Sequence, residues 1–242
     1  MDGWCSVEDL TRWAFDHSPV VMANEAHSGL ARCVRTRQVG VRMIRAAHDA
    51  GVRRLAMEAL PWPADGSPGP ITAIPEVPFG YLAQPEMRIL IGTALDLGWS
   101  LWAYEASMDP DIKPGEPPTM ESTNRREREQ ASNLCQLTAS GEPLLVWCGN
   151  SHAMKTAGGE WVPMGYHYAA MSAVEHFVID QTVTVAFGEG SRTWAEELLA
   201  SLDDTLAAYG GTAGILRDQA PPPLNTWRGV DALVVSIENA LT

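Results

Sequence analysis

The sequence predicts an α/β protein, a mainly parallel sheet flanked by helices, and three observations carry that expectation. Short apolar runs alternate with helix-length amphipathic segments through the first two thirds of the chain, glycines stop the helical segments where the next run begins, and successive runs end in a carboxylate or an imidazole. Pro19 to His27 (PVVMANEAH) reads as the first strand, and Leu30 to Ala50 as an amphipathic helix stopped by Gly51. Val52 to Leu60 (VRRLAMEAL) is the second strand, followed by a proline-rich stretch from Pro61 to Gly80. Pro85 to Leu97 forms a helix closed by Gly98, and Trp99 to Glu105 (WSLWAYE) the third strand. A second proline-rich loop runs to Ser122. Thr123 or Asn124 then caps a helix ending near Ser140 and Gly141, and Pro143 to Gly149 (PLLVWCG) is the fourth strand. In the last third, His176 to Phe187 alternates like a strand or hairpin, Arg192 to Tyr209 is helical, Gly210 to Asn225 with its GG and PPP is a loop, and Val230 to Ile237 is a final strand. No internal repeat and no linker divides the chain, so residues 1–242 read as a single domain.

Composition excludes several function classes. Of the 242 residues 45% are hydrophobic, enough for a sizeable core, while 17 Lys and Arg against 30 Asp and Glu leave a net charge of −13. That charge repels a phosphate backbone, so nucleic acid is not expected as a partner. The opening MDGWCSVEDL holds three acids and no apolar run, predicting no signal peptide, and no stretch approaches the roughly 18 uninterrupted apolar residues of a membrane helix. Cys5, Cys33, Cys135 and Cys148 form no C-x-x-C, which suits a reducing compartment. The expectation is therefore a cytoplasmic protein with no membrane partner. No G-x-G-x-x-G follows a strand and no Walker A sequence is present, which removes those nucleotide cradles.

In a parallel sheet the ligand crevice lies outside the carboxyl ends of the strands. Those ends carry Glu25 and His27, Glu58, Glu105 and His152. Glu25 and His27 are two apart and share one face of an extended backbone. LAMEAL and LWAYEA set carboxylates inside apolar runs, where only pairing, a metal or catalysis would keep them. The predicted catalytic set is Glu25, His27, Glu58 and His152: a His base oriented by a carboxylate takes a proton from water. Glu105 and Arg126 are candidates for binding substrate, Arg126 through its bidentate fork on an oxyanion or carboxylate. Trp62, Trp161 and Tyr166 are candidates for an aromatic wall around an apolar or cyclic ligand. No metal site is assigned and no cofactor is expected, although two His with several Glu also make a donor set that zinc or manganese accepts. Gly149-Asn150-Ser151-His152-Ala153 approaches a nucleophile elbow, but only His167 and His176 follow it and no well-spaced acid precedes them, which disfavours a serine hydrolase. Cys148, with apolar flanks, is expected to be buried rather than reactive.

N-E-A-H at Asn24 to His27, A-M-E-A around Glu58, R-E-R-E-Q-A at Arg126 to Ala131, V-W-C-G-N-S-H at Val146 to His152 and W-V-P-M-G-Y-H-Y at Trp161 to Tyr168 occur in this order. The set resembles the superfamily of erythromycin esterases, ChaN and TraB/Tiki proteins, over Val20 to Tyr168. The resemblance implies an α/β domain and a small-molecule or peptide substrate. It also implies three chemistries: hydrolysis of an ester, lactone or amide by His-activated water, haem or other large-ring binding of the ChaN sort, or metal-dependent peptide chemistry of the Tiki sort. Asn24 stands where the family usually has Gly, and Gly149 where erythromycin esterases tend to have His.

Overall fold

The computed structural model describes residues 1–26, 30–61, 69–74, 80–107, 117–184 and 189–237, with side chains throughout except at 30–33 and 189–191. Among these residues seven strands build one sheet: β1 (Val20–Glu25), β2 (Arg54–Met57), β3 (Ser100–Ala103), β4 (Leu144–Gly149), β5 (His176–Asp180), β6 (Thr212–Leu216) and β7 (Ala232–Ser236), in the spatial order β3-β2-β4-β1-β5-β7-β6. All neighbours are parallel except the β6–β7 pair. The chain is thus an α/β protein with a mainly parallel sheet.

The central strands are buried on both faces, which is why they read as continuous apolar runs rather than alternating ones. On one face Val21, Ala23, Leu55, Met57, Leu145 and Trp147 join the core under α1 (Val7–His17), α2 (Leu30–Asp49) and α3 (Pro85–Asp96). On the other, Val20, Met22, Ala56, Val146 and Cys148 meet α4 (Met120–Thr138), α5 (Met164–Met171), α6 (Glu189–Ser201) and α7 (Asp203–Ala208). β1 runs on toward α2 and β4 toward α5, so two adjacent parallel strands deliver their chains to opposite faces. Their carboxyl ends are the point at which such sheets leave a crevice.

Four expectations are corrected. The segment 210–225 is not all loop: Thr212 to Leu216 pairs antiparallel with β7, Thr212 opposite Ser236, a five-residue strand hidden between GG and PPP. The strand or hairpin expected from His176 to Phe187 is a strand that ends at Asp180, whose Oδ1 accepts the Thr182 backbone N–H at 2.5 Å and turns the chain out of the sheet; residues 185–188 lie outside the described residues. The helix expected over 192–209 is two helices, separated at Leu202 (φ −113°, ψ 6°). α4 starts earlier than Thr123, because the Thr119 hydroxyl accepts the Ser122 N–H at 3.1 Å and caps it. Helix α1 carries no strand signal, yet it is closed by a Ser6 cap on the Asp9 N–H and buries Val7, Leu10 and Ala14.

Candidate active site

Because β3, β2, β4 and β1 are consecutive in the sheet, their carboxyl ends set Glu105, Glu58, His152 and Glu25 side by side along one edge. The strand order puts these strand ends at one edge, where the groups were expected; Glu58 and Glu105 share Arg126, while Glu25 is held apart from them by Arg37 and Trp147. His27 and Trp62 lie outside the described residues.

Glu25 is fully buried and held by α2: Arg37 Nε donates to Oε2 and Nη2 to Oε1, both at 2.8 Å, and Trp147 Nε1 donates to Oε2 at 3.0 Å. Arg37 also donates to Gln84 and lies over the Tyr81 ring, 5.3 Å from its centroid. A carboxylate engaged in this way anchors the edge and is not available to take a proton from water. Burial holds the Tyr81 phenol well above its usual range, and the nearby Glu25 and Glu58 carboxylates push it in the same direction.

Glu105 accepts from Arg126 Nε at 2.9 Å and Nη2 at 2.7 Å, from Gln130 Nε2 at 2.8 Å and from the Ala106 N–H at 2.9 Å. Burial alone would raise its carboxyl, but Arg126, Ala106 and Gln130 outweigh it and leave it below the ordinary range. Glu105 therefore positions Arg126. Arg126 in turn reaches Glu58, its Nη2 lying 3.8 Å from Oε2, and Glu58 is only 4% exposed.

His152 lies three residues beyond β4, with its Nδ1 2.6 Å from Glu127 Oε1, at ion-pair distance but off the line of a direct hydrogen bond. The other Glu127 oxygen accepts the Met164 N–H at 2.7 Å, at the start of α5. Burial disfavours the imidazolium, but Glu127, with Glu58 behind it, more than compensates, and the His152 pKa lies above its usual value. The Trp161 ring stands edge-on to His152 at 5.9 Å. Tyr166, on α5, is exposed and stands edge-on to His167 at 6.0 Å, so no described contact brings it to His152.

Cys148 is buried and burial pushes its thiol far up, as expected of an inert core cysteine. Ser151 sits in the turn before His152. Among the described residues, no group of three or more His, Cys, Asp or Glu side chains converges as a metal set.

Three groups escape the sequence reading. Glu127 sits in an Arg-Glu-Arg run that resembles a solvated helix face, yet it is fully buried. Arg37 falls with Gly40, Ile44 and Ala47 on the buried side of α2, and a charge at helical spacing with apolar residues was the available signal. Asn24 joins three strand ends: its amide donates to the Asn150 carbonyl at 2.6 Å, its Oδ1 accepts the Gln181 N–H at 2.8 Å, and its carbonyl accepts from the Gln181 side chain at 2.6 Å.

No family model matches the sequence, and no curated protein matches it. Among solved structures the chain is similar to one described as the type III effector HopBA1, with a TM-score of 0.42 and 15% identity over 76% of this chain and 86% of that one. It is also similar to one described as bacterial protein toxins, with a TM-score of 0.43 and 16% identity over 72% of this chain. It spans 37% of the length of that toxin chain.

Proposed function

We propose that this chain is a hydrolase-like enzyme that splits an ester, lactone or amide of a small-molecule or peptide substrate by acid-base activation of water, working in the cytoplasm. The observation that carries the reading is the juxtaposition, on neighbouring strand ends, of Glu58, the Glu127–His152 pair and an Arg126 held by Glu105. The sequence pattern N-E-A-H supplies His27 as base, with Glu58 as the carboxylate able to share that proton. Water loses its proton to this base as its oxygen bonds to the carbonyl carbon. The developing oxyanion faces the Arg126 guanidinium. His152, whose hold on a proton Glu127 strengthens, gives that proton to the departing alkoxide or amine as the C–O or C–N bond breaks.

This assignment makes His152 an acid rather than a second base, and the pH dependence follows. The rate of the bond-breaking step should fall as pH rises through the raised His152 pKa. The test is a panel of chromogenic esters, lactones and amides, read with variants whose folding is confirmed by circular dichroism. Glu58→Gln, His27→Ala and His152→Ala should each lower kcat/KM about a hundredfold or more, and Ser151→Ala about tenfold or less. A dead Ser151→Ala with a trapped acyl adduct on the native protein would overturn the mechanism. Activity lost on chelation and restored by zinc or manganese would replace free water with metal-bound water. Stoichiometric haem uptake with a Soret band and no turnover would make the chain a carrier.

A further inference from the structure

At the opposite, amino edge of the sheet lies a second polar constellation that the proposed reaction does not use. Arg54, the first residue of β2, is only 9% exposed, and its guanidinium packs over the Trp102 ring, 4.6 Å from the centroid. Its Nη2 donates to the Leu137 carbonyl at 2.8 Å, one of the open carbonyls at the end of α4. Its Nε and Nη1 are buried without a hydrogen-bond partner. The nearest acid is Glu142, whose Oε2 stands 3.5 Å from Nη1 while its side chain is 68% exposed. A buried guanidinium with two unmet donors is costly, and a distant, solvated carboxylate satisfies it poorly.

Two cavities meet at this guanidinium. One of about 440 Å³ is lined by Arg53, Arg54, Thr72, Ser100, Trp102 and Glu142 among others. The second, of about 360 Å³, lies against Gln136, Leu137 and Ser140 and shares Arg54, Trp102 and Glu142 with the first as a common wall. Glu142 is the exposed member of that wall, and besides its 3.5 Å pairing with Arg54 its Oε2 accepts from the Ser140 hydroxyl at 3.2 Å. Arg53 adds a second cation at the rim, with its Nη1 on the His48 and Val52 carbonyls.

We propose that Arg54, backed by Arg53, is a binding site for an oxyanion group, the carboxylate or phosphate of a small molecule, and that the Glu142 carboxylate occupies its place when no ligand is bound. Displacing Glu142 opens Nη1 at the wall shared by the two cavities, so that an oxygen of the incoming carboxylate or phosphate accepts a charge-assisted hydrogen bond from it. Trp102, under the guanidinium, holds it in place. The chain as a whole carries a charge of −13, so capture depends on this local pair of arginines and weakens with salt.

The experiment is calorimetric titration of the full chain with inorganic phosphate and, separately, with benzoate. Saturable binding is expected for at least one, and which one binds identifies the anion. Glu142→Gln removes the competing carboxylate and should tighten binding by about threefold or more. Arg54→Lys keeps the charge but loses the planar guanidinium over Trp102 and its Nη1 donor, and should weaken it by about tenfold or more. Because Arg54 also caps α4, the Glu142→Gln arm stands independently of any folding defect at Arg54. Absence of saturable binding of both anions to native protein and Glu142→Gln overturns the proposal. So does binding that Glu142→Gln leaves unchanged or weakens, or that Arg54→Lys does not alter. The hydrolase reading, at the other edge of the sheet, is untouched by any of these outcomes.

Discussion

Glu25 and Arg37, both at most 1% exposed, form the innermost charged pair of the edge, and their value to the fold lies in what each prevents. Either charge left alone in that position lacks solvent, whereas together they fill two parallel hydrogen bonds and receive a third from Trp147. Arg37→Met is therefore expected to cost about 3–5 kcal/mol of stability, with Arg37→Met combined with Glu25→Leu recovering most of that loss. Urea denaturation of the two variants measures it, and equal destabilisation of the single and the double variant would mean that the pair is not what holds this corner. The sequence shows the carboxylate but not its partner. Glu25, Glu58 and Glu105 are visible because each interrupts or ends an apolar strand, where a charge stands out. Arg37 and Glu127 lie on helices, where one charge among many is silent until the helix face is known. That is also why Glu105 reads as a substrate contact in sequence and as the holder of Arg126 in space.

At the scale of elements, α4 is the ruler of the site. Arg126, Gln130 and Asn133 follow each other at helical spacing and grip the end of β3, Asn133 by donating to the Tyr104 and Glu105 carbonyls at 3.2 and 3.1 Å. One residue round the helix, Glu127 reaches His152 and the start of α5. The turn between β4 and α5 is held by the Gly165 N–H donating to the His152 carbonyl at 2.8 Å, and a Cβ at Gly165 would sit 2.0 Å from the Ala153 carbonyl oxygen. Since the obstacle is backbone, Gly165→Ala must push α5 away, with an expected loss of about 1–3 kcal/mol. The same shift separates Glu127 from His152, so the imidazole pKa, followed by NMR titration, should drop toward its ordinary value. A Gly165→Ala protein with unchanged stability and an unchanged His152 titration would show that α5 does not set the pair. Element by element, the parallel half of the fold is legible because doubly buried strands and glycine-stopped helices leave strong patterns. β6 is not, because its place depends on β7 pairing, and a five-residue TAGIL between GG and a polar tail has no local signature of a strand.

Over the whole molecule, two imidazoles, the buried His176 and the partly buried His152, bind protons in opposite senses, and folding stability should show both. His176, 2% exposed at the start of β5, is held neutral by burial and by the nearby Lys155, its pKa lowered to about 3; Lys155 itself pairs with Asp231 at 2.6 Å, and the Tyr168 ring lies edge-on at 5.0 Å. The unfolded chain binds a proton there near pH 6.5 while the folded chain does not, so this contribution is complete above that pH and is lost as pH falls toward about 3. Its size at pH 5 is about 2 kcal/mol relative to pH 7.5. His152 behaves in reverse: with a raised folded pKa, its contribution is complete below about pH 6.5 and is lost as pH rises through that raised value. Paired carboxylates such as Glu8 and Glu105, both lowered, also lose their contributions in acid, and therefore the readout is the difference between each variant and the native chain at every pH. In guanidinium denaturation at pH 5, 7.5 and 9, His176→Leu should close about 2 kcal/mol of its gap to the native protein on going from pH 7.5 to 5, because only the native chain carries the proton penalty. His152→Gln should close its gap in the alkaline direction instead. Parallel stability curves for native and His176→Leu protein would mean that His176 takes up its proton as readily in the fold as out of it, and that the amino end of β5 is open to water.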